Sequence, residues 1–194
     1  MGNLYFQMKI NSNITVREVK NDDELKEFVM FPHKLYKDSK YWVAPIINEE
    51  LEVLNKKINP VFKNADAYYF LALINGEIVG RIAALINWVE VKDLKKKKVR
   101  FGWFDFVDNK EVSKSLLNEV IKIGNDNNLE FIEGPVGFSN MDKAGMLIKG
   151  FEKMNTMITL YNHSYYQDHM IAHGYKKLAE WVEYELKIAN YEDS

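Results

Sequence analysis

The chain has 194 residues, 47% of them apolar and 13% aromatic, and a formal net charge of −2. That composition describes a folded globular chain and gives no electrostatic basis for binding nucleic acid or an anionic membrane. There is no cysteine, which removes disulfides, thiolate nucleophiles and cysteine–zinc sites together, and the four histidines lack metal-ligand spacing, so no metal is expected. "MGNLYFQ" at residues 1–7 resembles the protease-site remnant of an expression tag, leaving 8–194 as a single domain. No apolar run reaches spanning length and no secretory leader is visible, which predicts a cytoplasmic protein with no membrane partner.

In chain order, "ITVREV" (14–19) alternates as a strand, and "NDDELKEFVMFPHKLY" (21–36) follows as a helix. Asn21 and Glu24 stand in capping-box relation, Leu25, Phe28 and Val29 share a face, and Pro32 is expected to kink or end the helix. A second helix is predicted over 44–55, with Pro45 near its start. "YYFLALINGEIVGRIAALI" (68–86) is a hairpin, because Asn75-Gly76 supplies positive φ at both centres of a tight turn. The four lysines of "DLKKKKVR" (93–100) read as a solvated connection. "RFGWFDFV" (100–107) is a strand, and a helix from about Lys110 to Ile123 follows, closed by Gly124. "LEFIEGPV" (129–136) is a further strand. The long excursion 137–162 holds at most a short helix near 143–149. A helix over 164–175 and an alternating strand over 176–186 complete a mixed α/β order.

Three stretches of that order resemble the GNAT acyltransferase superfamily: the hairpin with Val79-Gly80 near the start of its second strand, the strand–bend–helix of 101–123, and the ending "MIAHGYKKLAEWVEY". "FPHKLYKDSKYWVAP" and "GPVGFSNMD" are similar to a bacterial branch of it, to which the resemblance attaches no substrate. The resemblance implies an α/β fold with a mixed, mostly antiparallel central sheet flanked by helices. It implies acyl transfer, typically acetyl transfer from acetyl-CoA, to an amine of a small molecule or peptide; oligomers are compatible with it. The chain ends almost directly after the last predicted strand, which leaves room for a longer natural protein.

The bend "VDNKEVS" (107–113) departs from the family's glycine-bearing pyrophosphate loop. Asp108, Glu111 and Ser113 fall where the loop has Arg or Gln, Gly, and Gly or Ala. A helix start offers free N–H groups to an anion. Glu111 puts a like charge there, worth about 4 kcal/mol of repulsion at ~4 Å in an effective dielectric near 20 before screening. Asp108 with Glu111 fits a capping box that would consume those N–H groups. Glycine loss weakens the phosphate contact but leaves the strand, which in the family pairs with the pantetheine arm through its backbone. The resemblance therefore places coenzyme contacts at Phe104, Asp105, Phe106 and Val107, and at Asn109, Lys110, Val112, Ser113 and Lys114. The oxyanion donor is expected near Phe106 or Val107.

In the family the leaving thiolate receives its proton from a tyrosine of the closing helix, at a position occupied here by Met170. Tyr166 lies one turn back and Tyr165 beside it, so either is the candidate acid; core packing and surface placement are the alternatives. Glu133 and Asp105 are acids within apolar strands and so are either exposed or functional. Glu133, with Asp105, His163 and His169, is a candidate general base. The excursion 137–162 reads equally as a substrate lid or as packing over a sheet face. A domain of this fold that has lost coenzyme A and only binds a ligand or partner is the alternative to an enzyme.

Overall fold

A computed structural model describes residues 13–139, 141–156 and 159–184. Five strands, β1 (Ile14–Glu18), β2 (Ala65–Ile74), β3 (Glu77–Asn87), β4 (Lys98–Phe106) and β5 (Phe131–Glu133), lie side by side in sequence order. The first four are antiparallel, and β4 and β5 are parallel. Asn75 and Gly76 both adopt positive φ at the predicted turn between β2 and β3. A parallel pair needs a crossover, and the helix α4 (Lys110–Asp126) supplies it between β4 and β5.

Each face of the sheet has its own apolar layer. Val112, Leu116, Leu117 and Val120 of α4 pack on Ile82, Ala84, Phe101, Phe104 and Phe106. On the other face, Leu25, Phe28 and Val29 of α1 (Asp22–Leu35) and Leu54 of α2 (Ile47–Leu54) cover Tyr69, Leu71, Ala83 and Leu85. Asn21 caps α1, its side chain accepting from the Glu24 N–H, while the Glu24 carboxylate reaches back one residue further, to the Lys20 N–H. Pro32 does not end α1, which runs on to Leu35. A helix α3 (Trp88–Lys92) and one over 165–172, α5 (Tyr165–Ala172), complete the elements.

Several expectations are corrected. Gly124 lies inside α4, which ends at Asp126; a Cβ there would meet Val99 Cγ1 at 3.0 Å, so the glycine serves close approach to β4. The lysine run is not wholly solvated. Lys98 opens β4 as a buried residue, its ammonium between Glu90 and Glu133. Arg100 on the same strand face grips Glu90 through two nitrogens, at 2.9 and 2.6 Å. Burial would raise the Glu90 carboxyl, but the hydrogen bonds and charges of Arg100 and Lys98 outweigh it and hold the group below its ordinary value. The excursion contains no helix near 143–149, only an isolated bridge between Val136 and Ala144. Residues 176–184 form no strand, and Leu178, Trp181, Val182 and Tyr184 stand exposed; 185 and 186 lie outside the described residues.

Two irregularities of β4 set up the site. Ladder pairing with β5 covers only Lys98 to Arg100. The following chain stays against β4 as far as Phe101 and Gly102, where the Val136 N–H donates to the Phe101 carbonyl at 2.8 Å, and at Phe106 the tyrosines of α5 take its place. Between the pairs Arg81–Asp105 and Ala83–Gly102, β4 carries one extra residue, with Trp103 at φ 44°. This bulge places Phe101, Phe104 and Phe106 on the α4 face and turns Trp103 and Asp105 to the other. Gly102 is required where the chain after β5 passes, since a Cβ would lie 2.6 Å from the Val136 carbonyl oxygen. Gly102→Ala should therefore cost roughly 1–3 kcal/mol in urea unfolding, because two backbones must separate; unchanged stability would show that the approach is slack.

Candidate active site

At the parted end of β4 a chain of buried polar groups crosses the sheet. Arg81 on β3 faces Asp105 directly across the ladder, its Nε–H donating to Asp105 Oδ2 at 2.7 Å. The Arg81 guanidinium also donates to the Phe28 carbonyl at 2.9 Å and lies over the Phe28 ring. Asp105 Oδ1 accepts from the hydroxyl of Tyr36, just past the end of α1, at 2.8 Å. That donation uses the single Tyr36 proton, so the 2.8 Å contact between the Tyr36 and Tyr166 hydroxyls is a donation from Tyr166. Tyr166 Oη in turn accepts the Phe106 N–H at 3.1 Å, while the Tyr165 hydroxyl donates to the Phe106 carbonyl at 2.5 Å. Both polar groups of Phe106 on the gap side are thus met by the two tyrosines that begin α5. Burial first, and then the Asp105 charge, raise Tyr36 and Tyr166 well above the ordinary tyrosine value. Burial likewise raises Tyr165.

The start of α4 differs from expectation. Its N-cap is Asn109, whose side chain accepts from the Glu111 N–H at 3.0 Å. Asp108 does not form the predicted capping box with Glu111; its carboxylate lies 2.9 Å from His169 Nε2. His169 Nδ1 is 2.9 Å and His173 Nε2 2.8 Å from Ser113 Oγ, which also donates to the Lys110 carbonyl. Ser113 is fully buried, so this Asp–His–Ser sequence presents no accessible nucleophile. It pins α5 onto the first turn of α4.

On the α1 side of the sheet, Tyr166, Asp105 and Trp103 form part of the wall of a cavity of about 260 Å³. Aromatic residues Tyr36, Trp42 and Tyr161 continue it, and Glu50 of α2 enters from the side. The Trp103 indole N–H donates to Glu50 Oε2 at 2.7 Å. The excursion supplies the remaining wall, including Gly137, Met146 and Leu160. It is fastened by Asn162, which bonds both the N–H and the carbonyl of Leu147, and by Asn155, whose side chain accepts from the Val43 N–H and whose N–H donates to the Tyr41 carbonyl.

Among the residues singled out from sequence, Phe104, Asp105 and Tyr166 line the cavity, and Tyr165 and Phe106 meet beside it. The Val107 N–H is turned away to the Val79 carbonyl. Val112 is in the core, and Lys110 and Lys114 are exposed beside Asn109. Glu133 is held by Lys98 and does not line the cavity. His163 stacks on Tyr165 and packs against Tyr36. Sequence reasoning passed over Tyr36, Arg81, Glu50 and Trp103. Arg81 carried a signal: like Asp105 it is a charge inside an apolar strand, and hairpin register places such residues opposite one another. Tyr36 and Glu50 reach the site only through helix packing, which no local pattern reports.

No family model matches the chain. Among solved structures it superposes on AAC(6')-Iy bound to a CoA bisubstrate analogue with a TM-score of 0.53, at 14% identity over 91% of this chain and 100% of that one. A predicted acetyltransferase of Clostridium acetobutylicum with acetyl-CoA gives 0.53 at 13% identity, over 89% and 96%. An aminoglycoside acetyltransferase from a soil metagenome, complexed with sisomicin, gives 0.51 at 12%, over 93% and 98%. The chain has the GNAT fold. Curated relatives include Protein YghO of Escherichia coli, 30% identical over 172 residues, which are 87% of this chain and 44% of that protein. Bacterial ceramide synthase of Caulobacter vibrioides is 26% identical over 175 residues, 90% of this chain and 46% of that protein. The chain thus spans about half the length of the curated relatives it matches. Tyr166 joins the β4 edge at Phe106 to the cavity beside it.

Two predictions follow from the electrostatics. Arg81→Met strands the Asp105 carboxylate and should cost roughly 3–5 kcal/mol in denaturant unfolding, with most of it recovered in Arg81→Met/Asp105→Asn; equal losses in both would show that the pair is not coupled. Burial, first among the causes in each case, lowers His33, His163 and His173 below the ordinary histidine value. The unfolded chain then binds more protons than the folded one as pH falls through about 6.5, so their contribution is complete above that value and lost below it. The thermal midpoint should drop between about pH 7.5 and about pH 5.5; a flat profile would contradict the assignment.

Proposed function

We propose that the chain is an acyl-CoA-dependent N-acyltransferase domain of a longer cytoplasmic protein, with the thioester arm along the parted edge of β4 and the acceptor amine in the aromatic cavity. The observation that carries this reading is the position of Tyr166, which bonds the Phe106 N–H at the strand edge and lines the cavity. A group at that seam touches both reactants. Two of the GNAT-fold neighbours hold acetyl-CoA or a CoA bisubstrate analogue. The sequence relative named a ceramide synthase supports an amine acceptor as well. Acetyl-CoA is the simplest donor.

In this reading the amine, having released a proton to solvent, attacks the thioester carbonyl. The C–N bond forms, the nitrogen loses a second proton to solvent, the C–S bond breaks, and the departing thiolate takes up a proton from solvent. The Phe106 N–H, released from Tyr166 as the thioester enters, receives the oxyanion. Tyr166 stays neutral at working pH because burial raises it. Its hydroxyl proton, given to Tyr36 as a hydrogen bond in the resting site, turns to the departing thiolate as a hydrogen bond and is not transferred outright. Tyr165 orients the strand end through the Phe106 carbonyl. No helix among the described residues is long and apolar enough to cross a membrane. Among the described residues no cluster of three or more histidines and carboxylates could hold a metal.

One observation favours the rival reading, a GNAT-fold module without coenzyme. The first turn of α4 is capped by Asn109 and closed over by His169 and His173. A thiol-release assay separates the two, and the chain contributes no background because it has no cysteine. Acetyl-CoA with a panel of primary amines should release thiol, and Tyr166→Phe should lower kcat by ~10²-fold, with Tyr165→Phe the milder variant. Absence of both thiol release and coenzyme binding would establish the rival.

A further inference from the structure

The cavity has an unbalanced charge. Two cations and three carboxylates line it. Arg81 and Asp105 neutralise one another at 2.7 Å, and Asp142 and Lys143 are both exposed at the rim. Glu50 remains. Its described hydrogen-bond partner is the neutral indole of Trp103, and no ion pair to it is found among the described residues. A half-buried carboxylate among aromatic walls, with the indole as its described hydrogen-bond partner and the His33 imidazole as a neighbour, has capacity for a cation.

The indole is held there at a cost. Trp103 is a bulky residue at φ 44° on the β4 bulge, a conformation that persists only where surrounding structure enforces it. Trp103 shares its face with Asp105, opposite Phe104 and Phe106. Phe138 packs edge-on against its ring, and the N–H is aimed at Glu50. The indole thus engages Oε2 of Glu50.

From this geometry we infer that Glu50 is the docking carboxylate for a primary ammonium group, and that the ligand class is an amine on an apolar body. The inference rests on the acyl-acceptor reading of the cavity and narrows it. Pro32, Val53, Val136 and Leu160 add apolar wall to the aromatic residues, which suits an alkyl or aryl chain. A polycation such as an aminoglycoside needs several carboxylates, and the interior offers one that is not already paired.

Calorimetric titration of the intact chain with n-octylamine, n-octanol and spermidine, all without coenzyme, tests the inference. Octylamine should bind at least about tenfold more tightly than octanol, and spermidine more weakly than octylamine. Glu50→Gln should erase the preference for amine over alcohol, whereas Glu50→Asp, which keeps the charge, should retain part of it. Equal binding of octylamine and octanol by the wild type, binding of neither, or an amine preference that survives Glu50→Gln would overturn the inference. The two readings fail separately. A Glu50-dependent ammonium preference without thiol release from any acyl-CoA would leave the docking site standing and remove acyl transfer. Thiol release whose KM for amine is indifferent to Glu50→Gln would remove the docking site and leave acyl transfer.

Discussion

The pairing of Arg81 with Asp105 is the constraint on which the site depends. A carboxylate at the parted end of β4 is tolerable only because a guanidinium stands across the ladder, 2.7 Å away and itself satisfied by the Phe28 carbonyl. Asp105 then fixes the proton of Tyr36, Tyr36 the proton of Tyr166, and Tyr166 the N–H of Phe106. Helix α1, the sheet and α5 are joined by one directional series of hydrogen bonds. In a low-dielectric interior such a series is cooperative and sensitive to loss of any member.

The same helix α5 that delivers Tyr166 also closes the start of α4. His169 and His173 are four residues apart and so share a face, and both reach Ser113. At this helix start the Glu111 N–H is engaged by Asn109 and the Ser113 hydroxyl by the two histidines. In the proposed reading, coenzyme affinity would rest on the strand edge, where the arm would meet backbone groups and the two tyrosines.

Much of the fold was legible because local chemistry and tertiary structure agreed. Asn75-Gly76 permitted only a tight turn, and Leu25, Phe28 and Val29 marked the buried face of α1. The failures share a physical cause, which is tertiary contact overriding a local signal. Gly124 looked like a helix stop and is instead a contact with Val99. Lys98 looked solvated, yet Glu90 and Glu133 draw it inward. Asp108 looked like half of a capping box, but His169, 61 residues away, claims its carboxylate. Of the site, Tyr166 and Asp105 were reachable from pattern and resemblance. Tyr36 and Glu50 were not, because their roles follow from where α1 and α2 pack. Alternation does place Trp103 on the face of Asp105, opposite Phe104 and Phe106; the positive φ of Trp103 on the bulge is what no local pattern shows.

The central claim is that the strand edge with its tyrosines, and not the start of α4, carries thioester recognition. The direct measurement compares the affinities of acetyl-pantetheine and acetyl-CoA for the intact chain by calorimetry. The account predicts dissociation constants within about tenfold of one another, since the nucleotide and its phosphates add about 1.4 kcal/mol or less. Acetyl-CoA binding with no detectable acetyl-pantetheine binding, or binding of neither, would contradict it.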